Sequence, residues 1–222
     1  MTIRIDRRSL ILTGTLGLGV YAIPGFAQGP NWIVDGFTHS VASGEPGATT
    51  MLLWTRYVGK GDSAKLKVEV SESADFAKIV ADGEAVTGPW RDWTTKVTVT
   101  GLKPGTRYHY RFVAPDGSKS PVGRTRTLPQ GNAPRFGIAI FSCSNMGFGY
   151  FNAYAHAAAR DDIDLAVHLG DYLYEYPHGN YPSLDQTVTG RLPLPATELI
   201  HLADYRLRYA SYRADPGLQA LH

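Results

Sequence analysis

Cysteine is nearly missing from this sequence: Cys143 stands alone. No internal disulfide framework can therefore hold the chain together, and a lone thiol asks for another explanation. Long apolar runs are missing too. The most apolar stretch, the chargeless run from Ser9 to Ile23, falls short of the roughly 20 residues that a helix needs to cross a bilayer. Neither charge sign is in excess, for the net charge is only +2. That small surplus sits at the start, where Arg4, Arg7 and Arg8 meet only Asp6; beyond residue 27, acid and base balance. A neutral chain offers no nucleic-acid-binding patch. Its apolar share of 43% is ordinary for a globular protein, which sets disorder aside.

Residues 1–27 have the layout of an export address. Arg7 and Arg8 precede the chargeless run, whose glycines (Gly14, Gly17, Gly19) keep it only mildly apolar, and Gly25-Phe26-Ala27 has the small-x-small form of a signal-peptidase site. This resembles a twin-arginine signal. The resemblance implies the twin-arginine export machinery as a partner, cleavage after Ala27, a periplasmic or secreted product, and no stable membrane span once the signal is removed.

Residues 33–128 alternate polar and apolar residues with period two in short runs bounded by turn residues. Lys65 to Val70, Lys96 to Val99 and Tyr108 to Val113 are the clearest, and Met51 to Thr55 lies between Gly47 and Gly59. About seven such runs match the size of an immunoglobulin-like sandwich. Leu102-Lys103-Pro104-Gly105-Thr106-Arg107-Tyr108-His109-Tyr110 resembles the fibronectin type III tyrosine corner, in which a tyrosine packs inward and ties its hydroxyl to upstream backbone. Trp54 is expected as the core aromatic opposite it. His39 and His109 read simply as strand residues. Residues 129–133, Pro-Gln-Gly-Asn-Ala, are the natural linker.

The pattern changes in residues 134–222. Arg135 to Phe141 is nearly continuously apolar, as a parallel strand covered on both faces would be, and ends at Ser142-Cys143-Ser144-Asn145. An alanine-rich helix, Tyr150 to Arg160, follows. A second strand, Ile163 to Leu169, then stops at Gly170-Asp171. In a strand-helix-strand unit ligands gather at the carboxyl ends of the strands, so Cys143 and Asp171 are expected side by side. Gly170 allows a tight turn that projects the carboxylate of Asp171, and Tyr174 can fold back beside it. Thiolate and phenolate both need a strong positive charge to form near neutral pH, so Cys143, Asp171 and Tyr174 suit ferric iron better than magnesium.

The segments Phe37 to Pro46, Leu53-Trp54-Thr55-Arg56, Phe141 to Ser144, His168 to Tyr176, Asp204 to Tyr209 and Asp215 to Gln219 together resemble the PhoD-type alkaline phosphatase and phosphodiesterase family, through essentially the whole chain after the signal. The resemblance implies two domains. The first is an all-β immunoglobulin- or fibronectin-like sandwich, also called the phospholipase D N-terminal domain; the second is the incomplete start of an α/β, calcineurin-like metallophosphatase domain. It implies Cys143, Asp171 and Tyr174 as metal ligands, iron and calcium as the ions, and a phosphate ester as substrate, attacked in line by a metal-activated hydroxide. No catalytic residue beyond these ligands is assigned. Gly-Asp-x-x-Tyr is also similar to purple acid phosphatases, whose Asp-x-His at the first strand end Phe141-Ser142-Cys143 does not match.

Other polar residues carry blander readings. His168 reads as a satisfied core histidine and Asp164 as a turn residue. Glu175, Tyr176 and His178 lie in a loop that could touch substrate. Ala196 to Ala214 reads as helical, with Arg206, Arg208 and Arg213 solvated or paired, one of them free to meet phosphate. Two strands and two helices leave a parallel sheet uncovered, so the chain reads as the N-terminal fragment of a longer enzyme, inactive alone. The rival reading is a binding module, a working sandwich with a vestigial phosphatase remnant.

Overall fold

Period-two alternation becomes alternating burial in four strands before residue 128. In Ala64–Ser71 (β3), Ala64, Leu66, Val68 and Val70 point inward while Lys65 and Lys67 stay exposed. The computed structural model describes residues 35–222; the expected export segment, residues 1–27, lies outside the described residues. Met51–Val58 (β2), Thr94–Val99 (β5) and Arg107–Val113 (β6) alternate in the same way, and Gly36–Gly44 (β1), Ile79–Thr87 (β4) and Gly123–Arg126 (β7) are strands without that clean pattern. They form two antiparallel sheets, ordered β1-β2-β5 and β4-β3-β6-β7. The inner faces share one apolar core that includes Leu53, Leu66, Val68, Val70, Val99, Tyr108, Tyr110 and Phe112. Burying each of these large side chains contributes about 1.5–3 kcal/mol, which is why this part of the chain needs no disulfide.

The tyrosine corner forms. Tyr108 is buried, and its hydroxyl accepts the backbone N–H of Lys103 at 2.8 Å. The expectation for Trp54 fails. In β2 it is Met51, Leu53, Thr55 and Tyr57 that turn inward, so Trp54, one position out of phase, lies on the opposite face. There its ring sits beneath the guanidinium of Arg213, 5.5 Å away. The other aromatic members of the core that holds Tyr108 are Tyr57, Trp93, Tyr110 and Phe112.

Beyond residue 134, Ile138–Phe141 (β8) and Leu165–His168 (β9) pair in parallel, with Phe141 opposite His168. Three helices accompany them: Asn152–Ala158 (α1), Leu202–Arg213 (α2) and Pro216–Leu221 (α3). Asp215 caps α3 by accepting the N–H groups of Gly217 at 2.9 Å and Leu218 at 3.1 Å, with Pro216 in the first turn where a missing N–H costs nothing. Met146, Phe151, Tyr154, Tyr212 and Leu218 make a second, smaller core. This core covers only one face of the strand pair. The expected burial on both faces is not met: Ile138 is 53% exposed and Ile140 64%.

Polar contacts join the sandwich to this second group of elements. Arg126 pairs with Asp164, Arg107 with Asp161, and Arg124 reaches the carbonyl of Ala158. Asp164 also accepts the N–H of Gly137, and that bond, with Arg126, holds its carboxyl below the usual carboxylate range. Arg213, expected to be solvated or paired, is fully buried and donates to the carbonyls of His39 at 2.5 Å and Val41 at 3.3 Å. Among the described residues no helix is long and apolar enough to cross a membrane.

Replacing Tyr108 by Phe should leave the Lys103 N–H without its partner and lower unfolding free energy by about 1–3 kcal/mol, measured by denaturant titration. Burial, reinforced by the charge of Arg56, pushes the His39 imidazole from 6.5 down to about 3. Between those values the unfolded chain binds the extra proton, so stability rises with pH there and is complete above 6.5. Unfolding free energy, measured by denaturant titration, is expected to fall on acidification below that point, by up to about 1.4 kcal/mol per pH unit, with a shallower fall in His39→Asn.

Candidate functional site

The two parallel strands end side by side, and their backbones stay joined past the last ladder pair. Leu169 N–H donates to Phe141 O at 2.8 Å, Cys143 N–H to Gly170 O at 3.2 Å, and Ser144 N–H to Asp171 O at 2.8 Å. Gly170 turns the second strand end with φ of +141°, a conformation that favours glycine. Cys143 and Asp171 themselves lie in the left-handed region, at φ of 58° and 52°. Such backbone costs on the order of 1–3 kcal/mol per residue and tends to collect at functional sites.

The result is a convergence of the three side chains singled out from sequence. Cys143 Sγ lies 3.7 Å from Asp171 Oδ2, and Tyr174 OH donates to the same oxygen at 3.2 Å. Cys143, taken alone, is the kind of residue found buried as a small hydrophobe; here it is exposed, and its sulfur faces the carboxylate. Desolvation, then hydrogen bonds to Cys143 and Asp171, push the Tyr174 phenol well above its usual range. Ionising it therefore requires a compensating cation. One carboxylate oxygen receiving a thiol and a phenol is an arrangement in which a cation can take the place of both protons, so the donor set fits a metal that accepts sulfur and phenolate oxygen. Among the described residues no three His, Cys, Asp or Glu side chains come together as a metal-binding group. The cluster has only one carboxylate, and its third donor is a tyrosine.

Supporting contacts fix this geometry. His168, at the end of β9, bonds Ser144 Oγ at 2.9 Å and Tyr154 OH at 3.0 Å through Nε2, while Nδ1 accepts the Gly170 N–H at 3.3 Å. It thus ties the residue after Cys143 to the residue before Asp171. Burial holds its pKa below the ordinary histidine value, against the opposing pull of Asp171. Its ring nitrogens are satisfied, as the sequence reading expected, but His168 is part-buried at the strand end rather than in the core.

Residues 27–129 match the family of the PhoD-like phosphatase N-terminal domain, and residues 138–222 match the PhoD-like phosphatase family. The chain belongs to the PhoD-like phosphatase family. It is 37% identical over 229 aligned residues to alkaline phosphatase D of Bacillus subtilis (strain 168), an alignment covering 99% of this chain and 38% of that protein. A solved structure of PhoD superposes with a TM-score of 0.78 and 38% identity, covering 90% of this chain and 38% of the other. The chain thus spans well under half the length of these PhoD-like relatives.

One contributor escaped the sequence reading. Arg208, classed with the solvated or paired arginines, is 2% exposed and meets no carboxylate among the described residues. Its guanidinium donates to the carbonyls of Tyr174, Leu194 at 3.1 Å and Pro195 at 2.8 Å, gathering the irregular segment from 174 to 195 around α2. The signal was present in a Pro- and Gly-rich loop whose carbonyls have no ladder to join and so need donors from elsewhere. Arg208→Met should leave these carbonyls unpaired, cost about 3 kcal/mol or more, and speed hydrogen exchange between residues 174 and 195, measured by mass spectrometry.

Proposed function

We propose that Cys143, Asp171 and Tyr174 are metal ligands of a phosphoric ester hydrolase of the alkaline phosphatase D type. The observation that carries this reading is the meeting of thiol and phenol on Asp171 Oδ2, at 3.7 and 3.2 Å. Asp171 would hold the metals and the other two residues would hold ferric iron, with calcium as the second ion. When bound, these cations would supply charge that acidifies water and offsets the phosphoryl oxygens. The chain's own residues do the positioning. Sγ of Cys143 and OH of Tyr174 give up the protons they now direct at Asp171, while His168 keeps the two strand tips in register by holding Ser144 and Gly170.

The finer organisation belongs to this reading as well. An immunoglobulin-like sandwich over residues 33–128 would precede an α/β, calcineurin-like domain from residue 134. The open face of β8 and β9 supports the view that this domain draws further elements from a longer polypeptide, and the hydrolytic activity is proposed for that assembled site. Arg7 and Arg8, with the chargeless run after them, support delivery to the periplasm or exterior as a twin-arginine substrate.

Ferric iron added to the wild-type chain should produce a visible tyrosinate-to-iron charge-transfer band that calcium alone does not. Tyr174→Phe should abolish the band, and Cys143→Ser should shift it. A band of equal intensity in Tyr174→Phe would remove this tyrosine from the ligand set.

A further inference from the structure

Exposed aromatic side chains gather beside the candidate site. Tyr174 is 6.1 Å from Tyr176, with rings 24° from parallel, and 5.7 Å from Tyr181. Tyr181 in turn lies 5.9 Å from Tyr176, at 85°, and 5.1 Å from Phe148, at 73°. Phe148 is 45% exposed, Tyr176 38% and Tyr181 50%. Solvent-facing aromatics elsewhere, such as Trp90, Phe136 and Tyr205, have no aromatic neighbour among the described residues.

The cluster is held from several directions. Asn145 Nδ2 donates to the Tyr181 carbonyl at 3.1 Å. Gly147 lets Pro182 approach so closely that a Cβ there would lie 2.7 Å from the proline ring, which sets Tyr181 against the Met146–Phe148 turn. Arg208 holds the carbonyls of Tyr174 and Tyr176 from beneath. Rings fixed in this way lose little entropy when they meet a ligand.

We propose that Phe148, Tyr176 and Tyr181 form a platform for a flat aromatic group carried by the phosphate ester whose phosphorus sits at Asp171. The inference rests on the phosphoester reading of the site. Continuity decides the occupant. Tyr174 belongs to both clusters, with its hydroxyl on Asp171 and its ring against Tyr176 and Tyr181. A group esterified to phosphate at that carboxylate therefore adjoins the ring against which Tyr176 and Tyr181 pack. Tyr176 and Tyr181, nearly perpendicular, offer a planar ring one face contact and one edge contact together, the two geometries that aromatic pairs favour.

The test measures binding of phenylphosphonate, methylphosphonate and inorganic phosphate to the full chain, with and without added ferric iron and calcium, by calorimetry. Phenylphosphonate should bind about 3- to 10-fold tighter than methylphosphonate, the gain expected of one or two aromatic contacts. Phe148→Ala and Tyr181→Ala, each checked for native circular dichroism, should reduce phenylphosphonate to the affinity of methylphosphonate. Equal binding of the two phosphonates in the wild type overturns the platform while leaving the phosphoester site standing. Failure of all three phosphorus ligands to bind leaves the platform without the phosphate it adjoins and overturns the proposal, while the metal-ligand reading is judged separately by the ferric charge-transfer band. Self-association of the wild type that either alanine variant abolishes, together with equal phosphonate affinities, makes a second copy the occupant and overturns the proposal.

Discussion

Parallel pairing of β8 with β9 is the constraint from which the candidate site follows. Phe141 stands opposite His168, and the backbone bonds that continue beyond this pair deliver Cys143 and Asp171, 28 positions apart in the chain, to one point. A slip of one residue would turn one tip to the opposite face from the other. Three devices resist such a slip: the bond from Ser144 N–H to Asp171 O, the turn at Gly170, and the imidazole of His168 spanning the two loops. The left-handed backbone at Cys143 and Asp171 is sustained by this surrounding network rather than by local preference.

Arginine performs the work on the other side of the site that regular secondary structure performs in the sandwich. Arg208 binds the carbonyls of an irregular loop, and Arg213 binds those of β1 while lying over Trp54. Arg191 pairs with Asp215 at 2.9 Å and also reaches the carbonyl of Gly149. Guanidinium suits this task because its five donors are planar and rigid and it is less strongly hydrated than an ammonium. A lysine at 208 or 213 would meet fewer carbonyls and give up more hydration.

Membership of the PhoD-like phosphatases and the geometry of the cluster bear on different questions. Family likeness covers both the sandwich and the strand-helix-strand unit, in a chain spanning 38% of the length of its relatives. The geometry concerns charge. A phenol held far above its usual pKa beside a carboxylate and a thiol is a poor acid alone and a good ligand beside a cation.

Much of this was legible in the residues, and the misses have physical reasons. Strand alternation in β3 and β6, the tyrosine corner and the two strand ends followed from period and turn chemistry, which are local. Trp54 was misplaced because alternation tells two faces apart without saying which is inner, and bulk favoured the wrong one. Arg208 and Arg213 were misplaced because charge predicts solvent only where no unpaired carbonyls wait inside. The exposed face of β8 broke the rule that apolar strands are covered, since an apolar run records a tendency to be buried and not the partner that buries it. By itself, then, the sequence determined which residues alternate, where strands stop and which three side chains could serve as ligands. Tertiary structure alone decided that those three share one carboxylate oxygen and which arginines are buried, because both depend on contacts between segments far apart in the chain.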